Sequence, residues 1–133
     1  LGMQMAEAAG KPVMIDFTGF GCVNCRKMEA AVWTDESVKS IITDDYVLIQ
    51  LFVDDKTPLA EPIEVVENGQ PRKLRTIGDK WSYFQRTKFG SNTQPFYVLL
   101  DNNGQPLNSA YSYDEDIEKY IEFLNTGLKN YKK

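Results

Sequence analysis

The two cysteines of the 133-residue chain, Cys22 and Cys25, are separated by two residues. If the segment is helical, this spacing puts the second sulfur roughly one turn beyond the first and close to it. A thiol in the first turn of a helix lies near free N–H groups and a partial positive charge, which lower its pKa and make it a nucleophile. We expect Cys22 to be the exposed sulfur that attacks a partner disulfide, and Cys25 to be the buried sulfur that resolves the mixed disulfide.

Other uses of a cysteine pair fit the sequence less well. A zinc site usually needs at least three protein ligands, and the chain has two cysteines and no histidine. Haem attachment needs a histidine directly after the second cysteine, where this chain has Arg26. A purely structural disulfide stays open as an alternative, although it would close a loop of only a few residues and constrain the unfolded chain little. We therefore expect a redox-active pair with no metal and no other cofactor.

The elements around the pair place it between a strand and a helix. Residues 12–18 are almost continuously apolar, which predicts a strand buried on both faces, with Asp16 as the exception. Residues 19–21 predict a tight turn, and a helical pattern follows over residues 23–32. Cys22 is thus predicted to stand where a helix begins, which is the position that stabilises a thiolate.

The remaining elements are predicted from hydrophobic periodicity and from capping and turn residues. Helices are expected over residues 3–9, after Asp35, over residues 80–89 and after Asp114, and apolar strands over residues 46–53, 96–101 and, beyond a turn at Asn103-Gly104, 106–113. The last helix should bury a stripe of aliphatic side chains, namely Ile117, Ile121, Leu124 and Leu128.

Residues 54–79 interrupt this regular pattern. They contain three prolines and two glycines among many charged residues, which predicts a long excursion with a small hairpin around Asn68-Gly69. The order of the other elements predicts an α/β sandwich around a mixed central sheet, whose first two strands are parallel. A chain of this length should form a single domain over residues 1–133.

Composition restricts the possible partners. The formal net charge is -4, and the densest basic cluster (Arg72, Lys73 and Arg75) is too short for a phosphate-binding face, so no nucleic acid is expected. No stretch approaches the about 20 apolar residues of a membrane span. Residues 1–10 lack the features of a signal peptide, although a chain that opens with Leu is compatible with a removed targeting or membrane segment. We expect a monomer.

Three stretches together resemble the thioredoxin superfamily: Val13-Met14-Ile15-Asp16-Phe17, Cys22-Val23-Asn24-Cys25, and Gln94-Pro95-Phe96 ahead of a strand. The run from Cys22 to Glu29, followed by Val32-Trp33 and Asp35, is most similar to the C-terminal periplasmic domain of the thiol:disulfide interchange protein DsbD. The resemblance covers most of the chain except residues 54–79, which are longer than the family's usual connection and form an insertion. It implies a thioredoxin-like three-layer sandwich with a central mixed sheet flanked by helices.

The resemblance also implies a function and a location. It points to a thiol–disulfide oxidoreductase with a reducing role in the periplasm, with cytochrome c biogenesis among the processes served. Electrons would arrive from a membrane-embedded donor and pass to other thiol–disulfide proteins or domains.

Two acidic residues acquire roles from the resemblance. Asp16 matches a buried family acid near the resolving cysteine, where a carboxylate of raised pKa takes the proton from Cys25. Glu29, one turn after Cys25, matches a second family acid on the same helix face. Each residue keeps a simpler alternative, which is local hydrogen bonding for Asp16 and an exposed helical glutamate for Glu29.

Substrate contacts are implied around a proline. Pro95 matches the family's cis-proline, which faces the cysteine pair and binds the extended backbone of the substrate. Gln94 beside it and Gly21 before Cys22 are predicted to contact substrate as well. An ordinary proline at the start of a strand is the alternative for Pro95.

The chain also departs from the family pattern. Thioredoxins usually carry a tryptophan immediately before the first cysteine, where this chain has Gly21 preceded by Phe20, and Val23-Asn24 replaces their Gly-Pro. Two other functions therefore stay open. One is a partner-binding module with a static cysteine pair, and the other is a disulfide oxidase or isomerase, which only the reduction potential separates from a reductase.

Overall fold

The strand before the cysteines, β1 (Val13–Thr18), is the middle strand of a three-stranded sheet in the computed structural model, which describes residues 2–132. It pairs in parallel with β2 (Val47–Phe52) and antiparallel with β5 (Phe96–Leu100). All six residues of β1 are buried. The sheet is thus mixed, its first two strands are parallel as predicted, and its central strand is covered on both faces.

Helices form a layer on each face of this sheet. They are α1 (Gly2–Ala9), α2 (Val23–Met28), which continues into a π-helical turn at Glu29–Trp33, α3 (Glu36–Asp45), α4 (Ile77–Phe89) and α5 (Ile117–Tyr131). Side chains of α1 and α4 pack on one face, and those of α2, α3 and α5 pack on the other. This three-layer arrangement around a mixed sheet confirms the predicted fold class.

The alternation of side chains along β1 divides the core in two. Met14 packs with α3 and α5, whereas Ile15 and Phe17 point to the opposite face, where Trp81 and Phe84 of α4 cover them. Each fully buried large apolar side chain contributes about 1.5–3 kcal/mol relative to its exposed state. The strand that ends at the cysteine pair is therefore held from both sides.

Residues 58–76 form a second, two-stranded sheet made of β3 (Pro58–Glu67) and β4 (Gln70–Thr76). The turn is at Asn68 and Gly69, whose φ angles are 54° and 76°, and this left-handed backbone is what an Asn-Gly hairpin turn requires. The hairpin is much longer than the small one predicted. That it is an insertion into a single domain stays a prediction.

The hairpin leads directly into α4, which begins three residues earlier than predicted. Thr76 and Asp79 form a capping box, in which the Thr76 hydroxyl accepts from the Asp79 N–H and the Asp79 carboxylate accepts from the Thr76 N–H. Asp35 caps α3 as predicted, because its carboxylate accepts from the N–H groups of Ser37 and Val38.

The predicted strand over residues 106–113 is wrong. This segment meets β5 only at two isolated bridges, Leu100 with Pro106 and Tyr97 with Tyr111. Between the bridges, residues 107–110 do not pair as a strand, and the Asn108 side chain donates to the carbonyl of Phe123 in α5.

Two details of the last helix also differ from the prediction. Asp116 caps α5 by accepting from the Lys119 N–H, whereas Asp114 accepts from the Asp116 N–H and forms the turn before it. The buried face is centred one residue away from the predicted stripe, because aromatic side chains fill the space next to β5. It consists of Tyr120, Phe123, Leu124 and Gly127, while Ile117, Ile121 and Leu128 are only half-buried.

Candidate active site around Cys22 and Cys25

The cysteine pair lies at the junction between β1 and α2. The chain turns at Gly19, Phe20 and Gly21, and Cys22 is the N-cap residue of α2, with extended backbone at φ -84° and ψ 104°. Its Sγ accepts a hydrogen bond from the Cys25 N–H at 3.2 Å. A sulfur at this position lies where the free N–H groups of the first turn stabilise a negative charge.

Cys22 and Cys25 are joined in a disulfide, with their Cα atoms 5.3 Å apart. Cys22 is half-buried, whereas Cys25 is only 2% exposed. A partner sulfur can therefore reach the first cysteine more easily than the second. This is the order of accessibility that attack by Cys22 and resolution by Cys25 requires.

The surface next to Cys22 is apolar. Phe20 and Val23, on either side of Cys22 in sequence, are 65% and 66% exposed. The Phe20 ring stacks on Phe52 of β2, with ring centres 4.2 Å apart and planes inclined by 16°. An exposed aromatic ring held by a second ring gives this side of the site a firm hydrophobic surface.

Asp16 is a buried carboxyl on the same sheet face as the helix that carries Cys25. It is 2% exposed, and its Oδ2 accepts from the Gln50 amide at 3.2 Å, while its Oδ1 has no hydrogen-bond partner within residues 2–132. Burial raises the pKa of Asp16 to about 7, against the opposing effect of the Gln50 hydrogen bond. The negative charge of Glu29 raises this pKa further, and the positive charge of Arg26 lowers it.

Glu29 and Arg26 form an ion pair, with Arg26 Nη1 2.9 Å from Glu29 Oε1. Arg26 is exposed, and its second Nη atom also donates to the Gly19 carbonyl at 2.6 Å. The guanidinium thus joins the helix after the cysteines to the turn before them. Glu29 lies close enough to Asp16 for its charge to act on the buried carboxyl, and a role in proton transfer stays a prediction.

The Gln94–Pro95 peptide bond is cis, as the resemblance implies for Pro95. The loop before it is held by Gln85, a fully buried side chain of α4. Gln85 donates to the Thr93 carbonyl at 2.7 Å and accepts from the Gln94 side-chain amide at 2.8 Å. Substrate contacts by Pro95, Gln94 and Gly21 stay predictions.

Replacing Gln85 by leucine should destabilise the protein, because both hydrogen bonds to the loop before Pro95 are lost. We expect the free energy of unfolding to fall by about 1–3 kcal/mol, which urea titration followed by circular dichroism would measure. Gln70→Leu, at an exposed position beside the hairpin turn, is the matched control and should change it little. Equal effects of the two substitutions would contradict this role for Gln85.

Four side chains at the site were not predicted from the sequence: Gln50, Asp54, Gln85 and the bridging guanidinium of Arg26. Gln50 is the direct neighbour of Asp16 in the parallel pairing of β1 and β2. Asp54 follows β2, and the carboxyl ends of parallel neighbouring strands lie at the same sheet edge. Those two could have been found from the predicted parallel pairing. Nothing in the local pattern indicates the contacts of Gln85.

Comparison with known proteins decides the family. Residues 1–125 match the family described as a thioredoxin-like domain. The chain belongs to the thioredoxin-like family. This confirms the resemblance seen in the sequence. A thioredoxin-like protein works with its own cysteine pair, as disulfide or dithiol, and among residues 2–132 no group of three or more His, Cys, Asp or Glu side chains could hold a metal ion.

Individual thioredoxin-like relatives include disulfide-exchange proteins. Over 77 residues, or 58% of the chain, the sequence is 38% identical to the thiol:disulfide interchange protein DsbD of Salmonella typhi, and the match spans 13% of that protein. The DsbH oxidoreductase superposes with a TM-score of 0.68 at 15% identity, over 96% of this chain and 79% of that one. The reduced C-terminal domain of DsbD from Neisseria meningitidis superposes with a TM-score of 0.61 at 15% identity, over 95% and 90% of the two chains.

Because the sequence identities to these solved structures are low, the structural likenesses show the thioredoxin fold alone. The chain covers only a small part of its curated relative, so the activity of the whole relative does not transfer directly. In the described part of the chain, no helix has the length and apolar character needed to cross a membrane.

Proposed function

We propose that the protein is a thiol–disulfide oxidoreductase that reduces disulfides of partner proteins with the Cys22–Cys25 dithiol. One observation carries the proposal. The disulfide stands at the N-cap of a helix, with its first cysteine accessible and its second buried. A structural disulfide has no need of this asymmetry, whereas a two-step exchange does.

The exchange proceeds in two displacements. The Cys22 thiolate attacks one sulfur of the partner disulfide, so that a Cys22–partner bond forms and the other partner sulfur leaves as a thiolate. Cys25 then gives its proton to Asp16 and attacks Cys22 Sγ, which releases the second partner thiolate and forms the Cys22–Cys25 disulfide. The partner gains two electrons and the pair loses two. With a pKa of about 7, Asp16 can both accept and release a proton near neutral pH.

The proposal includes a direction and a location. The similarity to DsbD supports a reducing role in the periplasm, with electrons arriving from a membrane-embedded donor and passing to other thiol–disulfide proteins or domains, and with cytochrome c biogenesis among the processes served. We further propose that the chain acts as a monomer and a single domain, with residues 54–79 as an insertion.

Two measurements on the purified chain test this function. The reduced protein should catalyse insulin reduction by dithiothreitol. When the cysteine pair is equilibrated with glutathione, its reduction potential should be close to that of thioredoxin, which is about -270 mV. A potential near the about -120 mV of DsbA would indicate an oxidase instead. Thiols that neither alkylate in mildly acidic buffer nor exchange with glutathione would indicate a static binding module.

The apolar surface beside Cys22 should bind the polypeptide that flanks the partner's cysteine. Phe20→Ala removes the exposed ring and should raise KM for insulin about fivefold, with a smaller change for a low-molecular-weight disulfide. Val66→Ala is a matched control, because Val66 is 70% exposed but lies on the hairpin. Steady-state kinetics of the three proteins would decide, and an unchanged KM in Phe20→Ala would contradict this surface.

A further inference from the structure

The turn before Cys22 is held by one carboxylate from another part of the chain. Asp54 Oδ1 accepts from the Phe20 N–H at 2.8 Å, and Asp54 Oδ2 accepts from the Gly21 N–H at 3.0 Å. The two oxygens therefore bind successive backbone amides immediately ahead of the attacking cysteine. Partial desolvation alone would raise the pKa of Asp54, but the hydrogen bonds from Gly21 and Phe20 outweigh it and hold this pKa below its ordinary value.

The backbone that carries Asp54 is itself anchored. Val53, just before it, extends the pairing of β1 and β2, because its N–H donates to the Thr18 carbonyl at 2.9 Å. The Asp55 carbonyl, just after it, accepts from the Gly78 N–H at 2.9 Å. A Cβ on Gly78 would lie 2.5 Å from the Val53 carbonyl oxygen, so only glycine permits this close approach. The backbone of Asp54 is thus fixed on both sides, by β1 through Val53 and by α4 through Asp55.

The same turn is held from a second side. The Gly19 carbonyl accepts from Arg26 Nη2 at 2.6 Å, while the next two amides donate to Asp54. A Cβ on Gly19 would lie 3.1 Å from Asp54 Oδ2, which shows how closely the carboxylate lies against the backbone. The segment that sets the position of Cys22 is therefore held by Asp54 at two amides and by Arg26 at one carbonyl.

We propose that Asp54 is a positioning residue that keeps the Cys22–Cys25 pair reducing by holding Cys22 in place for disulfide closure. This inference rests on the proposed function, which it deepens by naming what sets the redox balance of the site. Two effects act in the same direction. A held Cys22 has a high effective concentration toward Cys25, which favours the disulfide. The Asp54 carboxylate binds the N–H of Gly21, the residue before Cys22, and its negative charge disfavours the Cys22 thiolate, which weakens the reduced form.

The test compares neighbouring aspartates. Asp54→Ala, Asp54→Asn and Asp55→Ala are each equilibrated with glutathione buffers, and the oxidised fraction is measured by alkylation and mass spectrometry. Asp55 is the matched control, because its carboxylate accepts from the Thr57 N–H at 2.9 Å on the hairpin side. We expect Asp54→Ala to lower the equilibrium constant for oxidation of the pair by about three- to tenfold. Asp54→Asn, which keeps one acceptor oxygen, should lie between Asp54→Ala and wild type, and Asp55→Ala should equal wild type.

Salt separates the two effects. The charge of exposed Asp54 is screened in high salt, whereas the hydrogen bonds are not, so most of the difference between Asp54→Ala and wild type should persist at 1 M NaCl. Thermal unfolding is recorded in parallel, since a purely structural role would lower Tm without moving the equilibrium constant.

An equilibrium constant that is the same in Asp54→Ala, Asp54→Asn and wild type would overturn the inference, as would an equal shift in Asp55→Ala. Failure of the proposed function is a different result. It would appear as a wild-type protein that does not reduce insulin, while the glutathione equilibrium of the pair can still be measured in every variant.

Discussion

Cys22→Ser should lose insulin reduction, by at least about 1,000-fold, whereas Cys25→Ser should attack once and remain bound to its partner. The difference follows from position. Cys22 is accessible at the start of α2, so without it no sulfur can reach a partner disulfide. Cys25 is buried next to it, so without it the Cys22–partner bond has no internal nucleophile to break it.

Insulin turbidity measures the loss in Cys22→Ser, and non-reducing electrophoresis with mass spectrometry detects the mixed disulfides of Cys25→Ser. Lys27→Ser places a serine at an exposed position of the same helix, outside the cysteine pair, and serves as the control, with near-parental rates expected. Parental activity in Cys22→Ser would refute the assignment of the attacking sulfur. Absence of trapped partners in Cys25→Ser would refute the assignment of the resolving one.

Asp16→Asn should stabilise the oxidised protein at pH 8 and leave its stability almost unchanged below pH 4. The pKa of Asp16 rises from 3.8 to about 7 on folding, mainly because burial disfavours the charged carboxylate. Below pH 3.8 the carboxyl is protonated in both folded and unfolded states, so it contributes no difference. As pH rises from 3.8 to about 7, the unfolded state ionises first and the folded state loses stability relative to it.

Above pH 7 the Asp16 carboxyl is ionised in both the folded and the unfolded state, and the loss in the free energy of unfolding reaches its full size. A rise of about three pKa units corresponds to about 4 kcal/mol, which is an upper limit for the gain in Asp16→Asn. Urea unfolding at pH 4, 6 and 8 measures the gain, with the pair kept oxidised throughout. Asp44→Asn, which removes an exposed carboxyl of α3, is the control. A gain of equal size at all three pH values would show that Asp16 ionises normally.

The same substitution should slow catalysis while it stabilises the fold. Without a carboxylate to accept the proton of Cys25, the resolving step becomes slower, so mixed disulfides should accumulate in Asp16→Asn. The pH at which activity rises should also be higher than in the wild type. A variant that is both more stable and fully active would indicate that Asp16 only bonds locally to Gln50.

Much of the site could be predicted because its determinants are local. The apolar run of β1, the Gly-Phe-Gly turn and the helical pattern after Cys22 are all contained in about twenty neighbouring residues, and a strand–helix junction follows from them. The parallel pairing of β1 and β2 follows from the helices between them. The turn at Asn68-Gly69 was found because left-handed backbone has a strong residue preference.

The sequence-based predictions failed where contacts between distant parts of the chain determine the local structure. Asp114 and Asp116 both offer a capping carboxylate within three residues, and it is the Asp116 carboxylate that accepts from the α5 backbone at Lys119. Residues 106–113 have the sequence pattern of a strand, but they pair with β5 only at two isolated bridges, and the Asn108 side chain donates to the Phe123 carbonyl of α5. Asp54 is 33 residues from Gly21, whose N–H donates to its carboxylate, so only the parallel pairing of β1 and β2, and no local pattern, points to that contact.

The ion pairs of the hairpin determine which other elements must accompany it when it is transferred into another protein. Glu67 of β3 binds both Arg72 of β4 and Arg86 of α4, and Arg86 is the residue after Gln85, which holds the loop at Gln94. Transplanting residues 58–76 alone into another scaffold would leave Glu67 with only its partner inside the hairpin. A chimera that keeps both ion pairs of Glu67 would need to carry α4 along, because the hairpin and the proline loop both contact that helix.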